Sequence, residues 1–257
     1  RRSGHLADGY PPRSRTYGEE MDWIAAVERA GQTLSLAARH DTTAEVLSCP
    51  GWNIDELLRH VGIAHHRVAL IIREGRTEPP PLEETIPPHG GSLSWYEAGL
   101  ATLLDAMRTV DPATPVWTFS RSDKTATFWH RRMAHETTVH RVDAEQATGT
   151  VGPVEPELAL DGIAESLEVF APLTARREKD PSTATVHLHA SDVEGEWLVT
   201  LGGGTIAVEH GHAKGDAAVR GTAADLYLWL WGRAGLDRIE VFGDAAHAER
   251  LTKLSRV

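Results

Sequence analysis

The segment RRMAHETTVHRVDAE, residues 131–145, carries histidines and carboxylates at spacings that could grip a divalent metal. His135-Glu136 invites the zinc-protease pattern H-E-x-x-H. That pattern needs a second histidine four residues after the first, and here His140 follows His135 by five. On a helix that spacing places them roughly 140° apart, so they cannot hold one ion together. Glu136 and His140 are the pair at i,i+4 and share a face. Trp129, Met133 and Ala147 fall on the same stripe, with Arg132 and Asp143 at one edge. The carboxylate and imidazole are therefore expected to point at the core. A buried carboxylate needs a partner, and a metal is one such partner. A surface Glu-His pair on a helix that begins with tryptophan has the same pattern.

A catalytic metal site takes about three protein ligands and keeps a position open. The third ligand must come from another element. In SCPGWNIDELLRHVGIAHHRVALIIREG the buried face is set by Leu57, Val61, Ala64, Val68 and Ile71. His60 lies at one margin of that face, His65 at the other and His66 on the far side. Periodicity alone does not choose among them.

These residues need a helical frame. Apolar positions recur every three to four residues from Met21 to about Leu173, in five segments. Asn53, with Glu56 three residues on, gives the second helix a capping-box start. After the charged, turn-rich linker ARREKDPSTA the period falls to two, in TVHLHAS, EWLVTL, TIAVEH, AAVRG and IEVFGD. Two helical stretches, TAADLYLWLWGRAG and AAHAERLTKL, lie among them; the first is apolar nearly all round and reads as buried or interfacial. The expected organisation is α+β: a disordered extension over 1–20, a helical bundle over 21–178 and a small α+β domain over 182–257.

Composition narrows the function. The net charge of -11 over 257 residues argues against a general nucleic-acid binder, which needs clustered Lys and Arg. One cysteine, Cys49, excludes an intramolecular disulfide and a cysteine cage, and points to the reducing cytoplasm. No apolar run approaches the length of a membrane span, and residues 1–20 lack the apolar core of a secretory signal.

Taken together, CPGWNIDELLRHVG and RRMAHETTVHRVDAE resemble the two metal-binding motifs of the mycothiol-dependent maleylpyruvate isomerase family, within the DinB-like helical-bundle superfamily. The tail AVRGTAADLYLWLWGR resembles that family's C-terminal domain. The resemblance implies a DinB-like four-helix bundle with His60, Glu136 and His140 as ligands of a divalent metal, zinc foremost. It implies mycothiol as thiol cofactor or cosubstrate and a small electrophilic or unsaturated acid as substrate. It also implies an arginine from the C-terminal domain at the active site, placed at Arg233 with Arg220 second, to pair with a substrate carboxylate. Asp143 would then orient an imidazole. Thiolate addition, bond rotation and elimination would isomerise the acid; permanent thiol transfer is equally compatible. A metal-dependent hydrolase and a non-catalytic ligand-binding protein are the alternatives.

Other features read as structural. Gly202-Gly203-Gly204 is a hairpin turn without the spacing of a dinucleotide or phosphate loop. Cys49 has no base assigned beside it, and Trp229 and Trp231 read as core or interface. His187 and His189 share one face of a strand and could bind a metal, but with no carboxylate assigned to them they read as structural or exposed.

Overall fold

Four long helices form the first half of the chain: α1 (Trp23–His40), α2 (Ile54–Glu74), α3 (Ser92–Thr109) and α4 (Ala126–Thr148). The computed structural model describes residues 21–87 and 90–255; the extension expected over 1–20 lies outside the described residues. The α1 helix packs beside α3 and α4, and α2 beside the same two, which closes a four-helix bundle. The capping box on α2 is formed: Asn53 Oδ1 accepts from Glu56 N at 3.0 Å, and Glu56 Oε2 accepts from Asn53 N at 2.8 Å. Such a cap is worth about 1 kcal/mol and fixes where α2 begins, six residues before His60.

Helix α4 is the central element, with 17 of its 23 residues buried. Its sequence is polar on average, so these polar groups must find partners inside the protein. His135 Nε2 and Arg131 Nε both meet Asp161 Oδ1, at 2.8 and 2.7 Å. That carboxylate belongs to α5 (Pro156–Glu165).

The fifth helical segment is not one uniform helix. A π-helical turn (Ser166–Phe170) separates α5 from α6 (Ala171–Ala175), with Ala171 N bonded to Ser166 O. Pro172 has no N–H to donate back along the helix, which accounts for the widened turn before it. The turn presents Phe170 to the cavity described below.

The remainder builds a five-stranded sheet from β1 (Ala184–Ala190), β2 (Glu196–Gly202), β3 (Thr205–His210), β4 (Ala217–Gly221) and β5 (Glu240–Gly243), in the order β3-β2-β1-β4-β5. Only the β1/β4 pairing is parallel. Gly203 and Gly204, at φ +60° and +73°, make the hairpin turn between β2 and β3 that favours glycine at both positions. Helices α7 (Ala223–Leu230) and α8 (Ala245–Ser255) cover one face, over Val186, Leu188, Val219 and their neighbours. One apolar core runs continuously from Val27 and Val68 in the bundle to Leu226 and Leu254 beyond the sheet. The α5/α7 contact joins the two halves: Trp231 Nε1 donates to Gly162 O at 3.3 Å. No helix among the described residues is long and apolar enough to cross a membrane.

Gly162 on α5 sits against the fully buried Tyr227 ring, which a Cβ at position 162 would overlap. Gly162→Ala is expected to destabilise the protein by about 1–3 kcal/mol, through overpacking at this junction. Denaturant unfolding of the variant beside the parent measures it.

Candidate metal centre

The i,i+4 geometry of α4 sets Glu136 and His140 on one face, and α2 carries His60 to meet them. His60 Nε2 lies 3.1 Å and His140 Nε2 3.3 Å from the same oxygen, Glu136 Oε1. Two imidazole nitrogens and a carboxylate oxygen thus converge. Zinc bonds of 2.0–2.1 Å imply a tetrahedral edge of about 3.3 Å between ligand atoms. The donor set and its spacing fit such an ion. His60 is the solvent-facing member, its side chain 44% exposed against 9% for His140, so the site opens outward on the α2 side.

The remaining polar side-chain atoms of Glu136 and His140 are held. Arg132 Nη2 donates to Glu136 Oε2 at 3.0 Å, leaving Oε1 for the shared position. Arg132 Nη1 binds Glu165, and its guanidinium lies 5.0 Å from the ring centres of both Phe170 and Trp231. His140 Nδ1 donates to Asp143 Oδ2 at 2.8 Å, which orients Nε2 toward Glu136. Asp143 in turn accepts from Ser48 Oγ at 2.5 Å and from Arg233 Nε and Nη2, each at 2.9 Å. Trp52 packs beside His60, with ring centres 5.0 Å apart and planes tilted by 53°.

The electrostatics follow from this wiring. Burial alone would raise the Glu136 pKa, but the His140 charge, hydrogen bonds from His140 and His60, and Arg132 hold it well below the usual carboxylate range. Burial pulls His140 down, yet the Glu136 charge and the Asp143 hydrogen bond outweigh it and lift the imidazole to about 9. Burial would also raise Asp143, and hydrogen bonds from His140 and Arg233 hold it far below its ordinary value.

The other histidines fall elsewhere. His135 faces α5, as its spacing from His140 requires. His65 is fully buried against Thr137 Oγ1 at 2.9 Å, and desolvation lowers its pKa to about 3, so it stays neutral. His66 reaches Trp95 O on α3. Cys49 lies beside Asp143 and Arg233, but burial and the Asp143 charge push its thiol pKa up, which opposes thiolate formation.

Arg233 lines the same cavity as the three ligands, while Arg220 does not. The Arg233 guanidinium is engaged in a bidentate pair with Asp143, and Nη1 donates to Trp231 O at 2.7 Å. Trp231 is buried as expected and also forms cavity wall. The structural role of Arg132 is not evident from spacing, because its partner Glu165 comes from another helix.

Two lobes flank Glu136 and Arg132. One, of about 530 Å³, is lined by Ser48, Trp52, His140, Trp231 and Arg233 among others. The second, of about 310 Å³, is mostly apolar, walled by Ile63, Trp117, Phe119, Trp129 and Met133. Arg67 also lines it, and the Nη1 of Arg67 is buried without a hydrogen-bonding partner.

Comparison with known proteins agrees with this architecture. Residues 23–145 match the mycothiol maleylpyruvate isomerase N-terminal domain, and residues 157–250 match the MDMPI C-terminal domain. The chain belongs to the mycothiol-dependent maleylpyruvate isomerase family. The C-terminal family domain begins within α5, so in this family that helix goes with the sheet. Among solved structures, the mycothiol-dependent maleylpyruvate isomerase superposes with a TM-score of 0.61 at 16% identity, over 85% of this chain and 91% of that one. A histidine-to-alanine mutant of that isomerase gives 0.62 at 15%, with the same coverage. At this identity the likeness speaks for the fold alone. No curated protein matches by sequence.

A metal bound here would displace the His140 proton, so affinity should rise about tenfold per pH unit between about pH 6 and 8 and level off above about pH 9. Chelator-competition titrations across that range read the slope. Asp143→Asn should weaken metal binding by about 10–100-fold through lost orientation of His140.

Proposed function

We propose that this protein is a metal- and mycothiol-dependent enzyme that isomerises, or adds a thiol to, a small electrophilic or unsaturated acid. The observation that carries the reading is the convergence of His60 Nε2 and His140 Nε2 on Glu136 Oε1 between two cavity lobes. Membership of a family named for a thiol-dependent isomerase supports it. His60, Glu136 and His140 would hold the metal, with zinc the best match to a nitrogen-and-oxygen donor set. A bound zinc would supply Lewis acidity and lower the pKa of a thiol at the site.

The chain's own residues do the positioning. Arg132 fixes Glu136, Asp143 fixes His140, and Arg233 fixes Asp143 while closing the larger lobe from the C-terminal domain. Because Arg233 is already bidentate with Asp143, a substrate carboxylate would have to compete for it. Arg67, in the apolar lobe beside Trp117 and Phe119, is the better-placed cation for a substrate anion, with the aromatic wall receiving the apolar part of the molecule. The larger, more polar lobe suits a thiol cosubstrate bearing sugar hydroxyls. Both isomerisation and transfer begin with sulfur attacking an electrophilic carbon; the first returns the thiol and the second keeps it.

Turnover should require mycothiol and metal together and be abolished in His60→Ala and His140→Ala, scored by absorbance of isomerised acids and by mass of thiol conjugates. Metal-dependent turnover that ignores the thiol would favour a hydrolase, and intact protein without metal or turnover a binding role. Arg67→Gln should raise KM for carboxylate substrates about tenfold or more with kcat little changed, since a charge-assisted hydrogen bond is worth about 1.5–3 kcal/mol. An uncharged analogue should show no such rise.

A further inference from the structure

We propose that the outer face of the sheet carries a second divalent-metal site, formed by His187, Glu196 and His212 with His189 beside them. The cluster follows from strand geometry. His189 and Glu196 are direct cross-strand partners in the antiparallel β1/β2 pair, and His187, two residues earlier on β1, points to the same face. After β3 the chain turns at Gly211, whose φ of +114° favours glycine and whose N–H donates to Glu196 O at 3.0 Å. That turn brings His212 back over the start of β2.

The result is three imidazoles around one carboxylate. Glu196 Oε2 is 2.9 Å from His187 Nε2 and 2.8 Å from His212 Nδ1, and Oε1 is 3.0 Å from His189 Nδ1. The His187 and His212 rings meet edge-on, with centres 5.0 Å apart. His187 Nε2, Glu196 Oε2 and His212 Nδ1 form a three-atom ligand group comparable in span to that of the bundle site. The separations from the carboxylate are within about half an ångström of the 3.3 Å edge of a tetrahedral zinc site, so rotamer adjustment at the exposed His212 is enough to admit an ion. Neutral imidazoles plus a carboxylate select borderline ions such as zinc, nickel or copper over magnesium or calcium. Arg220, the cross-strand neighbour of His189, is directed toward Glu240, 3.7 Å away.

The site lies on the opposite face of the sheet from α7 and α8, shares no residue with the bundle centre, and stands whether or not that centre is catalytic. A bound ion would staple the segment after β3 to the β1/β2 pair. His187 is 6% exposed, whereas the His212 side chain is 80% exposed, so His212→Ala removes a ligand while leaving the buried strand residues in place.

The test titrates zinc alone into full-length His140→Ala, in which the bundle centre is broken, and into His140→Ala/His212→Ala. One zinc per chain is expected in the first protein. In the second, affinity should fall by at least about tenfold, since even residues that only orient a ligand cost that much when changed. Glu196→Gln in the same background should give a loss of similar size. No zinc in His140→Ala, or zinc binding that His212→Ala and Glu196→Gln leave unchanged, would overturn the site. Because the bundle centre is disabled throughout, failure here is separate from failure of the proposed activity.

Discussion

Glu136 is a carboxylate placed mid-way along a helix that is buried on nearly every side, and the arrangement around it answers that one constraint. Taking an ionised carboxylate out of water costs several kcal/mol unless it is paired and hydrogen-bonded. Here one oxygen is met by Arg132 and the other by two imidazoles. Arg132 is itself a buried cation, so it draws in Glu165 and two aromatic rings. His140, lifted in pKa by Glu136, draws in Asp143, and Asp143 draws in Arg233. The alternation of sign from Glu165 to Arg233 runs from α5 along α4 to the segment that follows α7. Opening it at one member leaves an uncompensated charge, at a cost of about 3–5 kcal/mol for a buried pair.

This chain of charges also explains why the C-terminal domain is docked rather than tethered. Trp231 and Arg233 come from the end of α7, yet they wall the cavity whose floor is α4. Their placement depends on the close α5/α7 contact at Gly162 and Tyr227 and on the π-helical turn that turns Phe170 inward. A site of this kind needs its supporting residues locked by packing, and the apolar core common to both halves supplies that. The exposed edge at His60 is the exception, with an aromatic neighbour in Trp52 and open access to solvent.

Much of this was legible in the sequence for identifiable reasons. The change of period from about 3.6 to two marks the passage from helices to sheet, and Asn53 and Glu56 mark the start of α2 because capping is local chemistry. The i,i+4 rule joins Glu136 to His140 and separates His135, whose partner proves to be Asp161. What local rules cannot see is pairing between distant segments. Only family resemblance distinguishes His60 from His65 in the sequence, since both sit at margins of one helical face; in the structure both reach α4, and the difference is that His60 meets Glu136 while His65 meets Thr137. Arg132 lies at the edge of the α4 stripe by spacing, and its partner Glu165 comes from α5. The same limit hid the partner of His187 and His189: Glu196 is one strand away, and His212 arrives only because Gly211 permits a turn. Arg233 lines the cavity with His60, Glu136 and His140, and its bidentate commitment to Asp143 depends on tertiary docking that no local rule reads.

The central claim is that His60, Glu136 and His140 hold a metal with a position open to a thiol. X-ray absorption on zinc-loaded His212→Ala protein, with and without mycothiol, tests it most directly, because the bundle centre then dominates the signal. The account predicts a first shell of nitrogen and oxygen at about 2.0–2.1 Å, with one sulfur appearing at about 2.3 Å when mycothiol is added. A first shell unchanged by the thiol, or one that persists in His140→Ala/His212→Ala, would contradict it.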